Sequence, residues 1–401
     1  MNAKIRKIAA AAAAIVCAAS MSGCVDTGYL MSIDGMDIRN GLYLQGEISA
    51  YNEAYTKVSE AREEQGDDSE IEDLFAESID GKSVSEWIKE NALEKLKRYV
   101  AINRLAEEKG ITLNESDTTA INTQVAQMWD EENFYAQYIY GTDTIGEYYE
   151  SIGIGRDSMR EDLCTESLSE KLFLHYFDTD GETPVSDADF DAYLTENYVS
   201  VMTVELPKET YQGIPTEDET IIAAIKETAE SYAERINDGE SFVNIHHDAA
   251  LLEAQNTARV DAEDEYAERT ENGETLDFDS FVQEAVDAVT VDAPASESEI
   301  TTTFSKSASA FSDADFTDYI WAITEFDKAF VYDDGSSFWV VVRTDITKND
   351  EWKTDNRSSV LNEMKSDDYE QILKETYANY TVEQNDRLVN KYAPEKIKGL
   401  D

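Results

Sequence analysis

Apolar side chains recur along this chain mostly at the three- and four-residue spacing of amphipathic helices. Ser83 and Glu86 form a capping box before one such stripe, and Lys109-Gly110 supplies the cation and glycine that commonly end a helix. The stripe itself comprises Trp87, Ile88, Leu93, Leu96, Val100 and Leu105. Further stripes predict helices over about residues 43–61, 114–129, 157–176, 186–197, 217–237, 316–323 and 352–392.

Other segments carry the signals of strands and tight turns. Residues 29–43 read as a short strand, a turn at Asp34-Gly35, a second extended piece and the start of a helix. Longer strands are expected at 199–206 and at 338–345, the second of them after an Asp334-Gly335 turn. The pattern as a whole predicts a mainly helical α+β protein.

The amino-acid composition limits the kinds of molecule that the protein is expected to bind. The 401 residues allow two or three domains, and 41% hydrophobic residues suffice for real cores. Asp and Glu number 86 against 33 Lys and Arg, a net charge of −53. A polyanion of this kind has no favourable interaction with nucleic acid or with an anionic lipid surface. The charge is therefore expected to serve solubility outside the cell.

The N-terminus has the layout of an export signal. Lys4, Arg6 and Lys7 precede an apolar run over residues 8–19 that is too short to span a membrane. Met21-Ser22-Gly23-Cys24 then resembles the lipobox of bacterial lipoproteins, which implies that 1–23 is a signal peptide and that Cys24 is lipidated. The alternative is a membrane helix or a plain signal peptide with an incidental cysteine.

Cysteine usage agrees with export. Cys17 leaves with the signal and Cys24 is used by the lipid, so Cys164 stands alone and no intramolecular disulfide is expected. No His or Asn constellation surrounds Cys164 in the sequence, which favours a buried thiol over a nucleophile.

Three stretches in order resemble the SurA/PrsA group of extracytoplasmic chaperones. The first is the strand, acidic-Gly turn and helix of residues 29–43. The second is a helix followed by Pro184-Val-Ser-Asp, a short helix and a strand, as where the helical domain of that group meets a parvulin-type (PpiC-like) domain. The third is residues 316–345, which resemble the last helix and last strand of a parvulin.

The resemblance implies a SurA/PrsA-like helical domain built from N- and C-terminal segments, with a parvulin-like α+β domain inserted. The expected limits are 24–198 for the N-terminal helical domain and 199–346 for the degenerate parvulin-like domain. An acidic insertion is expected at about 247–303. The C-terminal segment, 347–401, is expected to pack on the N-terminal domain.

The residues that a parvulin-type prolyl isomerase needs are missing from this chain. The first-strand histidine position falls near Met202 or Thr203, the last-strand one falls on Trp339, and no Gly-Gly pair lies between them. Trp321 keeps the aromatic character of the proline pocket. No catalytic residue is assigned, and any enzymatic activity would at most be that of a peptidyl-prolyl cis-trans isomerase. Trp321, Trp339 and Phe338 are the candidate client-contact residues.

Other candidate sites are weaker. His246 and His247 are neighbours whose side chains diverge, and Asp178–Glu182 and Asp313–Asp315 lack the full spacing of a calcium loop. No metal or cofactor is therefore expected. A Tyr-rich piece from Phe134 to Tyr149 requires either burial or a ligand.

The sequence thus predicts a lipid-anchored chaperone or foldase on the extracytoplasmic face of the cell membrane. Its partners would be unfolded or partly folded exported proteins, with little or no prolyl isomerase activity and no nucleic acid. The alternative is a surface lipoprotein that binds a small ligand or a glycan.

Overall fold

The computed structural model describes residues 28–67 and 69–397. These residues form two compact units. The first comprises the residues up to Val185 together with those from Ser358 onward, and the second runs from Ser186 to Arg357. Helices dominate and three small sheets accompany them, so the chain is a mainly helical α+β protein.

The elements up to Val185 are, in chain order, β1 (Tyr29–Ile33), β2 (Met36–Arg39), α1 (Asn40–Glu63), a 3-10 turn (Leu74–Ala76), β3 (Ser78–Ile79), β4 (Lys82–Ser83), α2 (Val84–Lys109), α3 (Glu115–Asp130), α4 (Phe134–Ile139), α5 (Ile145–Ile152) and α6 (Arg156–Phe177).

The elements from Ser186 onward are α7 (Asp187–Asn197), β5 (Tyr198–Pro207), α8 (Glu219–Asn237), α9 (Phe242–Glu271), α10 (Phe278–Asp287), β6 (Thr301–Ser305), α11 (Ala314–Ala322), β7 (Ala329–Asp333), β8 (Ser337–Thr344), α12 (Asp350–Tyr377), β9 (Val382–Gln384) and α13 (Asp386–Val389).

The sheet of the first unit joins segments from both ends of the described chain. β1 lies between β2 and β9 and pairs antiparallel with both. Asp34 and Gly35 turn the chain from β1 to β2 at φ values of 48° and 77°. The expectation of helix through residue 392 is wrong, because α12 ends at Tyr377 and Ile33 pairs with Val382 instead.

Helices α1 and α2 pack closely in the first unit. A Cβ built on Gly46 would lie 3.4 Å from the carbonyl oxygen of Ala92, so these two small residues let the backbones approach. Ser83 accepts a hydrogen bond from the Glu86 amide at the start of α2, and Gly110 ends that helix in the left-handed conformation. Both ends of α2 are therefore where the sequence predicts them.

The part of α12 that belongs to the first unit contacts α2 and α6. The ring of Tyr369 meets that of Phe173 edge-on with centroids 5.5 Å apart, and its hydroxyl donates to the carbonyl oxygen of Ser169 at 3.2 Å. Arg98 and Glu370 form an ion pair at 2.8 Å. This segment buries its apolar side chains on the N-terminal helices of its own unit.

The second unit is built on an antiparallel sheet in the order β6-β5-β8-β7. One face packs against α8 and α9, with Met202, Val204, Val340 and Val342 in the core. The other face packs against α11, with Val199, Val201 and Val341 from the strands meeting Phe316 and Ile320. Strands β5, β7 and β8 thus send alternate residues into two separate cores.

Residues 247–303, where the acidic insertion is expected, begin inside a helix and end inside a strand. α9 starts at Phe242 and continues past residue 247 to Glu271, and α10 packs back on it, with Phe278 5.0 Å from the ring of Tyr266. Thr301–Ser305 is strand β6, paired antiparallel with β5. Residues 301–305 form a strand because the backbone N–H and C=O groups on the edge of β5 that faces away from β8 need hydrogen-bond partners.

Within the described ranges, no helix combines the length and the apolar content needed to cross a membrane. Cys164 is in no disulfide and is buried in the core formed by α3 and α6.

One carboxyl group lies inside the first unit. Glu47 on α1 is 0% exposed, and its Oε1 accepts a hydrogen bond from the Tyr43 hydroxyl at 2.6 Å. Burial raises the pKa of Glu47 to about 8, an effect that the Tyr43 hydrogen bond and Lys89 only partly offset. Between an ordinary value of 4.5 and about 8, the folded chain holds a proton here that the unfolded chain has lost.

The stabilising contribution of protonated Glu47 is therefore fully present below pH 4.5 and is lost as the pH rises through about 8. We expect Glu47→Gln to change the free energy of unfolding little at pH 5. At pH 9 the variant should be more stable than the wild type by on the order of 2 kcal/mol or more, since one pKa unit corresponds to about 1.4 kcal/mol. Urea denaturation at both pH values measures this difference.

Glu60→Gln is the control for this comparison, because Glu60 is exposed on the same helix. Its effect should be small and equal at the two pH values. A Glu47→Gln effect that does not change between pH 5 and pH 9 would show that the buried carboxyl is already ionised in the folded chain.

Candidate functional site

The three candidate client-contact residues lie on two sides of the sheet in the second unit. Trp339 on β8 and Trp321 on α11 are half-buried members of the aromatic core on one side. Phe338 is only 3% exposed and belongs to the core against α8 and α9 on the other side. Because strand residues alternate, Phe338 cannot share a surface with the two indoles, and its assignment is corrected to a core residue.

Trp339 is held by its neighbours. Its ring centroid lies 4.7 Å from that of Phe316 and 6.0 Å from that of Phe311. The indole Nε1 donates to Oδ2 of Asp334 at 2.8 Å. The indole therefore fills this side of the sheet as a packed and hydrogen-bonded group.

Trp321 is fixed by a buried cation. Arg343 donates from Nη1 to the carbonyl oxygens of Trp321 and Ile323, at 3.0 and 2.6 Å, and its guanidinium lies 5.6 Å from the Trp321 ring centroid. Burial lowers the pKa of Arg343. The side chain thus satisfies carbonyl groups at the end of α11, which is a structural role.

The two positions that the sequence resemblance matches to parvulin histidines can be located on the sheet. Met202 is buried on the α8 and α9 side, whereas Thr203 pairs with Val341 and shares the side of Trp339. The three histidines of the chain are His175, His246 and His247, and none of them lies on a strand. The sheet therefore carries no imidazole that could act on a bound proline.

The weaker candidates form local contacts. His246 and His247 lie within α9, and Nε2 of His247 is 2.9 Å from the carbonyl oxygen of Val291. Glu182 binds Lys109 at 2.8 Å, and this hydrogen bond lowers the pKa of Glu182. Across residues 28–67 and 69–397, no group of three or more His, Cys, Asp or Glu side chains is placed to hold a metal ion. Cys24 and residues 1–23, the expected signal peptide, lie outside the described residues.

A different surface stands out in the first unit. Residues 133–143, here called the aromatic loop, contain the short helix α4. Phe134, Tyr135 and Tyr138 are 82%, 61% and 79% exposed. With Ile139 and Tyr140, which are also exposed, they form what we call the aromatic surface. Monomeric proteins rarely leave so many large apolar side chains together in water unless they bind something.

The base of the aromatic loop is closed by hydrogen bonds. The backbone amide of Asn133 donates to the carbonyl oxygen of Asp143 at 2.9 Å, so the two ends of the loop meet. The Asn133 side chain accepts from the amide of Ala136 at 3.0 Å and caps α4. Ala136 is completely buried beneath the helix. The loop is anchored on one side, and its rings project from the other.

Stacked rings connect the aromatic loop to α5. Tyr140 and Tyr148 stack with centroids 3.7 Å apart and an interplanar angle of 12°. Burial raises the pKa of Tyr148 and of Tyr149, so both phenols stay uncharged at neutral pH. The aromatic surface therefore rests on an uncharged and well-packed aromatic base.

Helix α5 is in turn positioned by Trp129 of α3. A Cβ built on Gly146 would lie 2.5 Å from Cγ of Trp129, so only glycine lets the helix approach the indole. The indole Nε1 donates to Glu150 at 2.9 Å, and the ring stacks on Tyr149 at 6.2 Å. The scaffold that holds the aromatic loop is therefore specified by a glycine and a tryptophan 17 positions apart.

The Tyr-rich piece from Phe134 to Tyr149 is the sequence signal for this surface, because it requires either burial or a ligand. The candidate client-contact residues Trp321, Trp339 and Phe338 lie elsewhere in the chain. α4 is six residues long and carries bulky apolar side chains at four of them, namely Phe134, Tyr135, Tyr138 and Ile139. Such a short helix has one buried face, which Ala136 occupies, so several of these rings had to remain exposed.

The comparisons with known proteins give little. No protein-family model matches the chain, and neither does any curated protein. Among solved structures, the chain is similar to the crystal structure of foldase protein PrsA from Streptococcus pneumoniae, with 14% sequence identity and a TM-score of 0.27. The match covers 75% of this chain and 91% of that chain. At this TM-score the similarity carries no argument about fold or function.

Proposed function

We propose that this protein binds non-native polypeptides outside the cytoplasm, as a chaperone or foldase of the SurA/PrsA kind with a degenerate parvulin-like domain. The observation that carries the proposal is the exposure of Phe134, Tyr135 and Tyr138 on an anchored loop. Unfolded chains present apolar side chains that folded proteins hide, and these rings offer them a surface. Residues 29–43 and 316–345, which resemble the chaperone group in sequence, agree with the proposal.

The expected affinity is weak and broad. Each ring that a client covers completely contributes roughly 1.5–3 kcal/mol before the cost of association. Among the side chains of the aromatic surface, only the tyrosine hydroxyls are polar, so little in it can select one client side chain over another. A surface of this kind suits transient binding of many sequences.

The first test removes the rings. The chain from Val25 onward, which retains every described residue, should suppress the aggregation of a chemically unfolded protein, followed by light scattering. Phe134→Ser/Tyr138→Ser should lose most of this suppression because it removes the two most exposed rings. Its stability should change by less than about 0.5 kcal/mol, since surface substitutions generally do.

Tyr55→Ser/Ile214→Ser is the matched control, because these side chains are 43% and 56% exposed and lie outside the aromatic loop. It should suppress aggregation as well as the wild type does. Equal suppression of aggregation by the wild type and the two double variants would show that the aromatic surface does not bind clients.

A glycan or small ligand is the second candidate. The rings of Phe134 and Tyr138 are nearly parallel, with an interplanar angle of 13° and centroids 6.4 Å apart. Parallel exposed rings of this kind can also stack on a sugar. A single compound that raises the melting temperature, together with failure to suppress aggregation, would favour this alternative.

We further propose that the chain does not catalyse proline isomerisation. A catalyst must bind the twisted imide in a shaped pocket to lower a barrier of about 18–20 kcal/mol. Trp339 fills the corresponding side of the sheet, and no histidine lies there. In a proline-peptide assay, the cis-trans rate with protein should equal the rate without it. Acceleration that disappears on Trp339→Ala or Trp321→Ala would contradict this.

Membrane attachment through Cys24 is the last part of the proposal. A diacylglycerol group has two acyl chains, which hold a protein stably where one chain gives only marginal binding. Cys24→Ala should therefore leave the chain unprocessed or shed into the medium, as membrane fractionation will reveal. A processed Cys24→Ala chain that still sediments with membranes would refute the anchor.

A further inference from the structure

We infer that the aromatic surface selects polypeptide segments in which aromatic or aliphatic residues are combined with lysine or arginine. This inference rests on the proposed function and names its client class. The observation behind it is the charge around the aromatic loop, where acidic residues outnumber basic ones even more strongly than in the chain as a whole.

No lysine or arginine occurs between Lys109 and Arg156, and the aromatic loop lies within this interval. The same interval contains eight carboxylates: Glu115, Asp117, Asp130, Glu131, Glu132, Asp143, Glu147 and Glu150. In the described part of the chain only two of them lie in ion pairs, Asp117 with Lys171 at 2.9 Å and Asp130 with Arg156 at 2.6 Å. The remaining charge around the loop is not neutralised by the protein itself.

Three of the unpaired carboxylates border the aromatic surface. Glu131 and Glu132 directly precede the loop, and Asp143 closes it; all three are exposed. Consecutive Cα atoms are about 3.8 Å apart, so Glu132 lies within roughly 8 Å of Phe134 along the backbone. The Debye length at physiological ionic strength is also about 8 Å. A cation on a segment bound to these rings therefore feels negative charge that is only partly screened.

The rings and the carboxylates contribute differently to the binding of a segment. Contact with the rings supplies affinity for any apolar segment, and the carboxylates favour segments that carry cations and disfavour acidic ones. A lysine or arginine ammonium or guanidinium group can also lie over an exposed ring, as Arg156 lies 5.9 Å from the centroid of Trp129. An anionic membrane surface is repelled by the same charges, which favours a polypeptide as the occupant.

Three peptides of equal length test the inference. They share one set of aromatic residues, and their other positions are lysine, glutamine or glutamate. Fluorescence anisotropy with the chain from Val25 onward should show the lysine peptide binding about tenfold more tightly than the glutamine peptide at low salt, and the glutamate peptide most weakly. The advantage of the lysine peptide should shrink as NaCl is added.

Two double variants test whether the preference for the lysine peptide arises at the aromatic surface. Glu131→Gln/Glu132→Gln should reduce the advantage of the lysine peptide several-fold and leave binding of the glutamine peptide unchanged. Glu227→Gln/Glu234→Gln makes the same change of net charge at exposed positions on α8 and should leave the advantage intact. Equal losses in the two double variants would overturn the inference, because the preference would then come from net charge alone.

The remaining outcomes separate the inference from the proposed function. Equal binding of the three peptides that still requires Phe134 and Tyr138 overturns the charge preference and leaves the proposed function standing. Absence of binding by all three overturns both. Tighter binding to anionic phospholipid vesicles than to the lysine peptide would also overturn the inference, since it would make a membrane the occupant of the surface.

Discussion

Self-repulsion of charge is the constraint under which every part of this protein folds. Its 86 acidic residues face 33 lysines and arginines, and a net charge of this size favours expanded chains. The folded state therefore depends on apolar cores, of which the sheet of the second unit supports one on each face. Cations hold elements together in places, as Arg98 does with Glu370 and Arg343 does at the end of α11. The carboxylates in excess of these cations lie mostly on the surface. Between Lys109 and Arg156, the interval that contains the aromatic loop, they are the only charged side chains.

Local chemistry was sufficient to predict many helix ends and turns but not every strand. Ser83 caps α2, Asn114 forms a capping box at the start of α3, and Gly110 terminates α2, each through contacts within a few residues. β6 and β9 could not be predicted in this way. Thr301–Ser305 and Val382–Gln384 are short and largely polar, and they are strands only because β5 and β1 offer them backbone partners distant in sequence.

The candidate site likewise has features that the local sequence predicts and others that depend on packing. That Phe338 and Trp339 point to opposite faces of the sheet follows from the two-residue period of a strand and was available from the sequence. The sequence of α4 also implies that some of its rings stay exposed, but it does not say which ones, because that depends on which rings their neighbours cover. Tyr148 stacks on Tyr140 and Trp129 packs on Gly146, while nothing in the described part of the first unit covers the outer face of α4.

The pairing of β1 with β9 implies an order of folding for a chain that emerges N-terminus first, whether from the ribosome or after the proposed export. Ile33 then emerges long before Val382, its partner in the sheet. The second unit is continuous from Ser186 to Arg357 and has all of its strands before β9 exists. The first unit therefore closes last, and until then its first hairpin has a free edge that another strand can occupy.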